Sequence, residues 1–263
     1  MKLFNTPRLA VVSGSSKGIG LAIAQALHDE GVSVVINGRT AESVAAAVEQ
    51  LRVRATRPDA DLIPFVADLS DPKEIARLHA AHPNVDIVVN NLGIYGAAEF
   101  DAVSDEEWAR IFDVNVMSGV RLSRAYLASM KQRGWGRIVF ISSESAIQIP
   151  KEMIHYGMTK TAQLAISRGL AETTVGSGVT VNSVLPGPTL TDGVQDFVRG
   201  LGGAGIEQFT EEYFRTLRPT SLIKRFQAPA EIGAAVAFVC SEQAASINGA
   251  ALRVDGGVVK ACF

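Results

Sequence analysis

The sequence predicts an α/β fold in which one doubly wound parallel sheet carries helices on both faces. Two observations support this prediction. Short apolar runs of strand length alternate with longer helical patterns from one end of the chain to the other. No linker or internal repeat breaks this alternation, so we expect a single domain over residues 1–263.

The composition is typical of a globular protein and argues against several functional classes. The chain has 263 residues, of which 47% are hydrophobic and 20% are charged, and its formal net charge is −2. This balance lacks the basic excess expected of a protein that binds nucleic acid or an anionic membrane. No apolar run approaches the ~20 residues of a membrane span. The N-terminus also lacks the apolar core of a signal peptide.

The cysteines and histidines show no pattern of a disulfide framework or a metal site. The two cysteines, Cys240 and Cys262, lie in an apolar helical run and near the C-terminus. This spacing favours a reducing compartment, and we expect a cytoplasmic protein. The four histidines have no metal-binding spacing either, so no metal is predicted.

The first predicted strand, over residues 8–12, leads into a glycine-rich turn and then a helix. Glycines let the backbone approach a pyrophosphate, and the free N–H groups at the start of a helix point towards it. Tight turns without a ligand also use glycine, but the order of strand, turn and helix favours a dinucleotide site. The turn residues that we expect at the dinucleotide are Gly14, Ser16, Lys17, Gly18, Ile19 and Gly20.

The second predicted strand, over residues 32–36, indicates which dinucleotide is bound. An acidic side chain at the end of this strand binds a ribose 2′-hydroxyl, whereas an arginine accommodates a 2′-phosphate. Here no acid occurs between Val32 and Ala41, Arg39 follows the strand, and Lys17 lies in the glycine turn. Both cations could equally be solvated surface charges. Their combination nevertheless favours NADP over NAD.

The third and fourth predicted strands end in polar residues. The third, over residues 62–66, is followed by Asp68, and the fourth, over residues 85–89, is followed by Asn90. In a parallel sheet the carboxyl ends of the strands form the edge at which ligands bind. A helical pattern then runs over about 104–133, and Asn115 lies among its apolar residues. We expect Asn115 to be buried and therefore hydrogen-bonded.

The fifth predicted strand, over residues 137–141, delivers Ser143 at its end, and a helix follows over about 155–175. On that helix Tyr156 and Lys160 stand one turn apart on the same face. A Lys⁺ at ~4 Å could stabilise a phenolate by about 4 kcal/mol at an effective dielectric constant of ~20. That energy would lower the pKa of Tyr156 by roughly three units, towards the working range of a general acid. Such pairs are more often solvated helix surface, so the interpretation depends on the surrounding site.

The C-terminal part of the chain continues the alternation, with one long excursion. A sixth strand over residues 179–185, a helix from Pro229 and a last strand over residues 251–254 are predicted. Between them, residues 191–227 are polar, glycine-containing and rich in aromatic side chains. We expect a substrate lid or binding loop above the carboxyl edge of the sheet, although a packing appendage would have the same composition.

The motifs together identify a family resemblance. In order and separation, they are similar over the whole chain to those of the short-chain dehydrogenase/reductase family, whose fold is a Rossmann-type sheet. The matching positions are Ser13-Gly14-x3-Gly18-Ile19-Gly20, Asp68-Leu69, Asn90-Asn91-Leu92-Gly93, Asn115, Ser143, Tyr156-x3-Lys160, Pro186-Gly187, Asn248-Gly249 and Asp255-Gly256-Gly257. The departures are mild, since Leu92 and Thr159 stand where Ala and Ser are common.

The resemblance implies an NADP(H)-dependent oxidoreductase that interconverts a carbonyl and a secondary alcohol by hydride transfer. Tyr156 would be the general acid or base, and Ser143 would hydrogen-bond the reacting oxygen. Lys160 would lower the pKa of Tyr156 and hold the nicotinamide ribose, while Asn115 would anchor a water that links Lys160 to solvent. Besides the glycine turn and Arg39, the implied cofactor contacts are Asp68 and Leu69 at the adenine, Asn90, Gly93, Tyr156, Lys160, Pro186, Gly187, and Thr189 at the carboxamide.

The resemblance also raises questions of assembly and substrate. Members of the family pair their two long helices into dimers or tetramers, so a homodimer or homotetramer is expected. Beta-ketoacyl carrier-protein reductases are similar to this chain, including at Arg133 and Arg137, but usually carry a basic residue where this chain has Glu172. Repulsion of an acidic carrier there is worth about 1 kcal/mol or less, so this activity remains an alternative. A non-catalytic NADP(H) sensor is a further alternative, although such proteins often lack the tyrosine or the lysine.

Overall fold

Seven parallel strands form one sheet in the computed structural model, which describes residues 3–55, 59–195 and 205–262. The strand order is β3-β2-β1-β4-β5-β6-β7, so the winding reverses between β1 and β4. The prediction of a doubly wound parallel sheet is therefore confirmed. The strands are Arg8–Val12 (β1), Val32–Gly38 (β2), Leu62–Val66 (β3), Ile87–Asn90 (β4), Gly136–Ile141 (β5), Val179–Pro186 (β6) and Ala251–Val254 (β7).

Helices cover both faces of the sheet, and successive strand residues contribute to two separate apolar layers. Ala10 and Val12 pack beneath the helices α1, α2 and α8, whereas Val11 packs on the other face against α3 and α5. Burial on both faces explains why the central strands β1, β4 and β5 contain continuous apolar runs rather than alternating patterns. The helices are Gly18–Asp29 (α1), Ala41–Arg54 (α2), Pro72–Ala81 (α3), Asp105–Phe112 (α4), Ser118–Arg133 (α5), Ile154–Glu172 (α6), Ile206–Thr216 (α7) and Pro229–Cys240 (α8).

The helix predicted over about 104–133 is interrupted in its middle. Ser104 begins α4, and its hydroxyl accepts a hydrogen bond from the backbone N–H of Glu107 at 3.3 Å. After α4, a π-helical turn over Asp113–Met117 separates it from α5. Such turns widen a helix by one residue and often occur at functional sites. Asn115 lies at the centre of this turn and is buried, as predicted.

The excursion after β6 carries helix α7 and a small aromatic core of its own. Tyr213 and Phe214 on α7 lie 4.9 and 5.1 Å from Phe226, measured between ring centroids. Phe209 stacks on the same Phe226 ring at 6.1 Å. These rings therefore contact one another. Phe197 and the glycine-rich residues 201–204, which belong to the same predicted segment, lie outside the described residues.

Candidate active site

The glycine-rich turn between β1 and α1 is held by two asparagines. The Oδ1 atom of Asn37 accepts a hydrogen bond from the Gly14 N–H at 2.9 Å. Asn91 donates from Nδ2 to the carbonyl oxygens of Ser13 and Gly14 at 2.9 and 3.1 Å. A Cβ atom at Gly20 would lie 2.4 Å from the Gly14 carbonyl oxygen, so only glycine permits this close approach. The two asparagines fix the shape of the turn, a role that the sequence did not predict.

A cleft of about 620 Å³ opens beside this turn, at the carboxyl edge of β1, β2 and β4. Its volume suits a nucleotide-sized ligand. At Gly38, a Cβ atom would lie 3.0 Å from the side chains of Ser16 and Val44, so the absence of a side chain keeps the floor open. The residues present fit a dinucleotide. The predicted cofactor residues that line this cleft are Gly14, Ser16, Lys17, Arg39, Asp68, Leu69 and Gly93.

The charges around the cleft bear on the choice of cofactor. Arg39 and Lys17 both line the cleft and are exposed. Asp68 lies near them: burial acts to raise its pKa, but hydrogen bonds from Ser70 and the charge of Arg39 outweigh this effect and lower it. Strand β2 ends at Gly38 without a carboxylate. Lys17 and Arg39 therefore place two positive charges at the cleft, with the Asp68 carboxylate near Arg39.

Among the cofactor residues predicted in the glycine turn and at the end of β4, Gly18, Ile19, Gly20 and Asn90 do not line the cleft. Asn90 donates from Nδ2 to the Ser123 hydroxyl at 3.0 Å, which turns the Asn90 amide towards α5. The neighbouring Asn91 lines the cleft instead. Gly20 is buried beneath the turn, and Ile19 packs against the apolar core.

The loop after β6 lies across the glycine turn, where the nicotinamide end of a dinucleotide is expected. A Cβ atom at Gly18 would lie 3.4 Å from Cγ2 of Thr191, so the loop touches the turn. Within the loop, the Thr189 hydroxyl donates to the Gly187 carbonyl oxygen at 2.9 Å. Thr189 also forms a parallel bridge with Gln227. Pro186 is the last residue of β6 and is buried.

The last strand and the turn after it support both this loop and the segment that follows α7. The Gly187 N–H donates to the Val254 carbonyl oxygen at 3.0 Å. The Gly256 carbonyl oxygen accepts from the N–H groups of Leu222 and Ile223 at 2.9 and 3.2 Å. Residues 254–256 thus hold two loops of the candidate site at once.

The two serines after β5 have different partners, as their alternating directions predict. Ser142 donates from Oγ to the carbonyl oxygen of Lys160 at 2.9 Å and so anchors α6 to the strand end. Ser143 faces Tyr156, and a hydrogen bond between them acts to lower the pKa of the phenol. The Tyr156 ring also meets Tyr95 edge-on, with 6.2 Å between ring centroids.

Lys160 is buried behind Tyr156. Its Nζ atom donates to the Ile141 carbonyl oxygen at 2.9 Å and lies 5.5 Å from the centroid of the Tyr156 ring. Burial lowers the pKa of Lys160 to about 8. A Cβ atom at Gly93, which lines the cleft, would lie 3.6 Å from Nζ. Lys160 therefore connects the phenol to the dinucleotide cleft.

The prediction that Lys160 lowers the pKa of Tyr156 is wrong for this structure, in which that pKa lies well above its ordinary value. Burial is the largest cause, and the negative charge of Glu144 is the second. The hydrogen bond with Ser143 and the charge of Arg218 act in the opposite direction but are smaller. Tyr156 is therefore protonated at neutral pH, which is the form that a general acid requires.

Asn115 joins three parts of the site. Its side chain accepts from the Ile94 N–H at 2.7 Å and donates to the Ile94 carbonyl oxygen at 2.8 Å and to Thr159 at 3.1 Å. Its own carbonyl oxygen accepts from Nε2 of Gln163 at 2.6 Å. Gln163 in turn accepts from Nζ of Lys160 at 3.4 Å. A side chain that the sequence did not single out thus links Asn115 to Lys160, where the resemblance implies a water.

Comparison with known proteins agrees with this geometry. A family model described as enoyl-(acyl carrier protein) reductase matches residues 14–259, and the chain belongs to that family. The dehydrogenase/reductase SDR family member 4 of Caenorhabditis elegans is 32% identical over 253 residues and 95% of each chain. The chain is a short-chain dehydrogenase/reductase.

Two further proteins place this short-chain dehydrogenase/reductase among its relatives. It is 46% identical over 266 residues to the uncharacterized oxidoreductase YvaG of Bacillus subtilis, and the match covers 100% of both chains. It also resembles the L-sorbose reductase of Gluconobacter frateurii, solved in complex with NADPH and L-sorbose. That structure has a TM-score of 0.92 and 29% identity, and the match covers 99% of this chain and 100% of the other.

The site of this short-chain dehydrogenase/reductase contains an ion pair that the sequence did not predict. Glu144 directly follows Ser143, and its Oε1 atom accepts from Nε of Arg218 at 2.8 Å. Burial acts to lower the pKa of Arg218, but Glu144 and Tyr213 outweigh it and raise that pKa. A glutamate among serines directly after a buried strand was the available signal, but its partner lies 74 residues away.

Two further kinds of feature are absent from residues 3–55, 59–195 and 205–262. No group of three or more His, Cys, Asp or Glu side chains is arranged to hold a metal ion within these ranges. Within the same ranges, no helix combines the length and the apolar composition needed to cross a membrane.

Proposed function

We propose that the protein is an NADP(H)-dependent oxidoreductase that interconverts a carbonyl and a secondary alcohol. The observation that carries the proposal is the meeting of Lys160, Asn115 and Gly93 at the edge of the dinucleotide cleft, directly behind Tyr156. A phenol, a serine hydroxyl and a buried lysine beside such a cleft are the groups that carbonyl reduction requires. The NADPH complex of L-sorbose reductase, a similar structure, supports the proposal.

Each residue of the candidate site would have its own role in the reaction. The nicotinamide, when bound, supplies or accepts the hydride. Tyr156 holds a proton on its phenol and transfers it to the reacting oxygen, or removes it in the reverse direction. Ser143 would position the same oxygen by a hydrogen bond, once its hydroxyl turns from Glu144, to which it donates in this structure, towards the substrate. Lys160, held by Ile141 and Gln163, places a positive charge behind the phenol and faces the ribose side of the cleft.

The proposal is tested by following NADPH absorbance with a panel of ketones, aldehydes and ketoses. Oxidation of NADPH with at least one of these compounds is expected. A β-ketoacyl thioester belongs in the panel, because sole activity on it would favour the carrier-protein reductase. Glu172 on α6 is exposed and forms an ion pair with Arg168. An acidic carrier protein would therefore meet an acidic residue where the carrier-protein reductases usually have a basic one. Binding of NADPH without any turnover would instead favour a sensor.

The choice of NADP over NAD is proposed to depend on Arg39. Arg39→Asp should lower kcat/KM for NADPH by about 10- to 100-fold, because a charge-assisted hydrogen bond worth about 1.5–3 kcal/mol is lost. The rate with NADH should be spared, because its ribose carries no 2′-phosphate. Arg52→Asp, at an exposed position in the last turn of α2, is the matched control and should leave the NADPH-to-NADH ratio unchanged. Equal use of both cofactors by the native protein would contradict the proposal.

We also propose that the protein forms a homo-oligomer through α5 and α6. The two helices present a shallow apolar groove of about 600 Å³, lined by Val120, Leu127, Ile166 and Leu170. Ala128 is exposed on the same face, beside Arg124 and Lys131.

Ala128→Arg should shift the protein towards the mass of a monomer in size-exclusion chromatography with light scattering. A bulky cation there would meet like charges across a two-fold interface. Val175→Arg, at an apolar residue 83% exposed just after α6, serves as the control and should retain the native mass. A native protein that is already monomeric would contradict the proposal.

A further inference from the structure

The carboxylate of Glu144 is placed directly against the proposed reaction centre. Its Oε2 atom accepts a hydrogen bond from the Ser143 hydroxyl at 2.5 Å, and Glu144 is only 4% exposed. The same oxygen accepts from the N–H of Ser145 at 2.7 Å and from its hydroxyl at 3.0 Å. Because Ser143 lies against Tyr156, any group bound to the reacting carbon lies close to this carboxylate.

Both carboxylate oxygens of Glu144 face groups that can only donate a hydrogen bond. Oε1 accepts from the guanidinium of Arg218, and Oε2 accepts from the backbone N–H of Ser145. These are the partners of a carboxylate in an ion pair with an arginine. The centre therefore contains a negative charge that the fold holds in place.

Arg218 is the cation that compensates this charge. It follows the C-terminus of α7 and is 9% exposed, and its Nη1 atom donates to the Leu217 carbonyl oxygen at 2.9 Å. Its Nε–H is already used by Glu144. A substrate anion would thus compete with a buried carboxylate that is held in place by three other donors. Such competition is unfavourable, because releasing a buried charge from its partner is costly.

A second carboxylate acts on this side of Tyr156. Glu152 is half-buried, and its negative charge acts on both Arg218 and Tyr213. Lys160 lies behind the phenol and is held by Ile141 and Gln163. Two carboxylates therefore face one arginine on the substrate side. The local field opposes a second anion.

We propose that the Glu144–Arg218 pair makes the enzyme select carbonyl substrates that are uncharged next to the reacting carbon and reject keto acids. The inference rests on the proposed function and narrows its substrate class. The enzyme would accept a neutral ketone, ketose or keto ester as its substrate. It would reject a compound that has a carboxylate within a few bonds of the carbonyl.

Methyl acetoacetate and acetoacetate form the test pair, because they share the reacting ketone and differ by one negative charge. The measured quantity is the ratio of kcat/KM for the ester to kcat/KM for the acid, with NADPH. We expect a ratio of at least about 10 for the wild type, since like charges meeting in a partly desolvated site cost at least ~1.4 kcal/mol, or tenfold. If neither compound is reduced, the same ratio is read from their inhibition of the best substrate in the panel.

Three variants separate the charge effect from a structural one. Glu144→Gln leaves Arg218 as an uncompensated cation and should lower the ratio by about 10-fold or more. Arg218→Gln leaves Glu144 uncompensated and should raise the ratio. The ratio cancels a general loss of activity, because both substrates need the same folded enzyme. Glu172→Gln, at an exposed acid on α6, removes one charge far from the cleft and should leave the ratio unchanged.

The outcomes are distinguishable. A wild type that binds or reduces acetoacetate as well as its methyl ester overturns the inference, even if the variants fail to fold. Folded Glu144→Gln protein with an unchanged ratio overturns it as well. A wild type that reduces no carbonyl compound in the panel contradicts the proposed function itself, and with it this inference.

Discussion

Tyr156→Phe is expected to lower kcat for carbonyl reduction by about 10²–10⁴-fold, the usual contribution of a general acid. The change removes one oxygen and keeps the ring, which packs edge-on against Tyr95. The fold should therefore be preserved. The affinity for NADPH should fall less than about tenfold, because one neutral hydrogen bond is worth roughly 0.5–1.5 kcal/mol. Steady-state rates on the best substrate of the panel and fluorescence titration with NADPH measure the two effects separately.

Tyr126→Phe is the matched control for this variant. Tyr126 is fully buried, and within the described part of the chain its hydroxyl has no hydrogen-bond partner. It lies on α5 in the apolar layer rather than at the cleft. Removal of its oxygen should leave kcat unchanged and should not reduce stability, since no hydrogen bond is lost. Near-native turnover by the Tyr156→Phe enzyme would show that the phenol is not the acid.

Asn115→Leu should lower both the stability and the activity of the enzyme. The substitution leaves the N–H and the carbonyl of Ile94 without their partners inside the protein. Each unsatisfied buried group costs about 1–3 kcal/mol, so a loss of roughly 2–5 kcal/mol in the free energy of unfolding is expected. Because Gly93 and Ile94 line the cleft, their displacement should also lower kcat by about 10²-fold. Urea unfolding and rates per folded molecule measure these effects.

Asn182→Leu provides an unusually close control. Asn182 is also fully buried, and its amide also bridges a backbone carbonyl and an N–H, those of Ile247 and Ala250, at 2.8 and 3.0 Å. The variant should lose a similar free energy of unfolding but keep its rate per folded molecule, because this loop does not line the cleft. If both variants lose activity equally, Asn115 has only a structural role.

The fold could be predicted from the sequence because its main signals are local. Strands such as β1 and β5 are largely buried, and each contains an unbroken apolar run, over residues 9–12 and 138–141. The glycine turn and the Tyr156–Lys160 spacing are likewise short-range patterns. These patterns were sufficient to predict the parallel sheet, the edge of the sheet at which the candidate site lies, and the burial of Asn115.

The features that escaped prediction depend on contacts between distant segments. The π-helical turn around Asn115 has no composition that distinguishes it from an ordinary helix. The pKa of Tyr156 was expected to be lowered by a neighbour on the same helix, but burial and Glu144, on another element, raise it. The Glu144–Arg218 pair joins residues that are 74 positions apart. A sequence pattern records spacing along the chain and cannot show how deeply a group is buried.

The support that residues 254–256 give to two loops of the site has a consequence for biosynthesis. The Gly187 loop and the Leu222–Ile223 backbone are both synthesised well before the strand that anchors them. Parallel pairing of β7 with β6 is also non-local, and such contacts form late and slowly in folding. In a nascent chain whose dinucleotide cleft has already formed, the two loops on the substrate side are therefore still without their anchor at residues 254–256. The substrate side can therefore be completed only after β7 has been synthesised and has paired with β6.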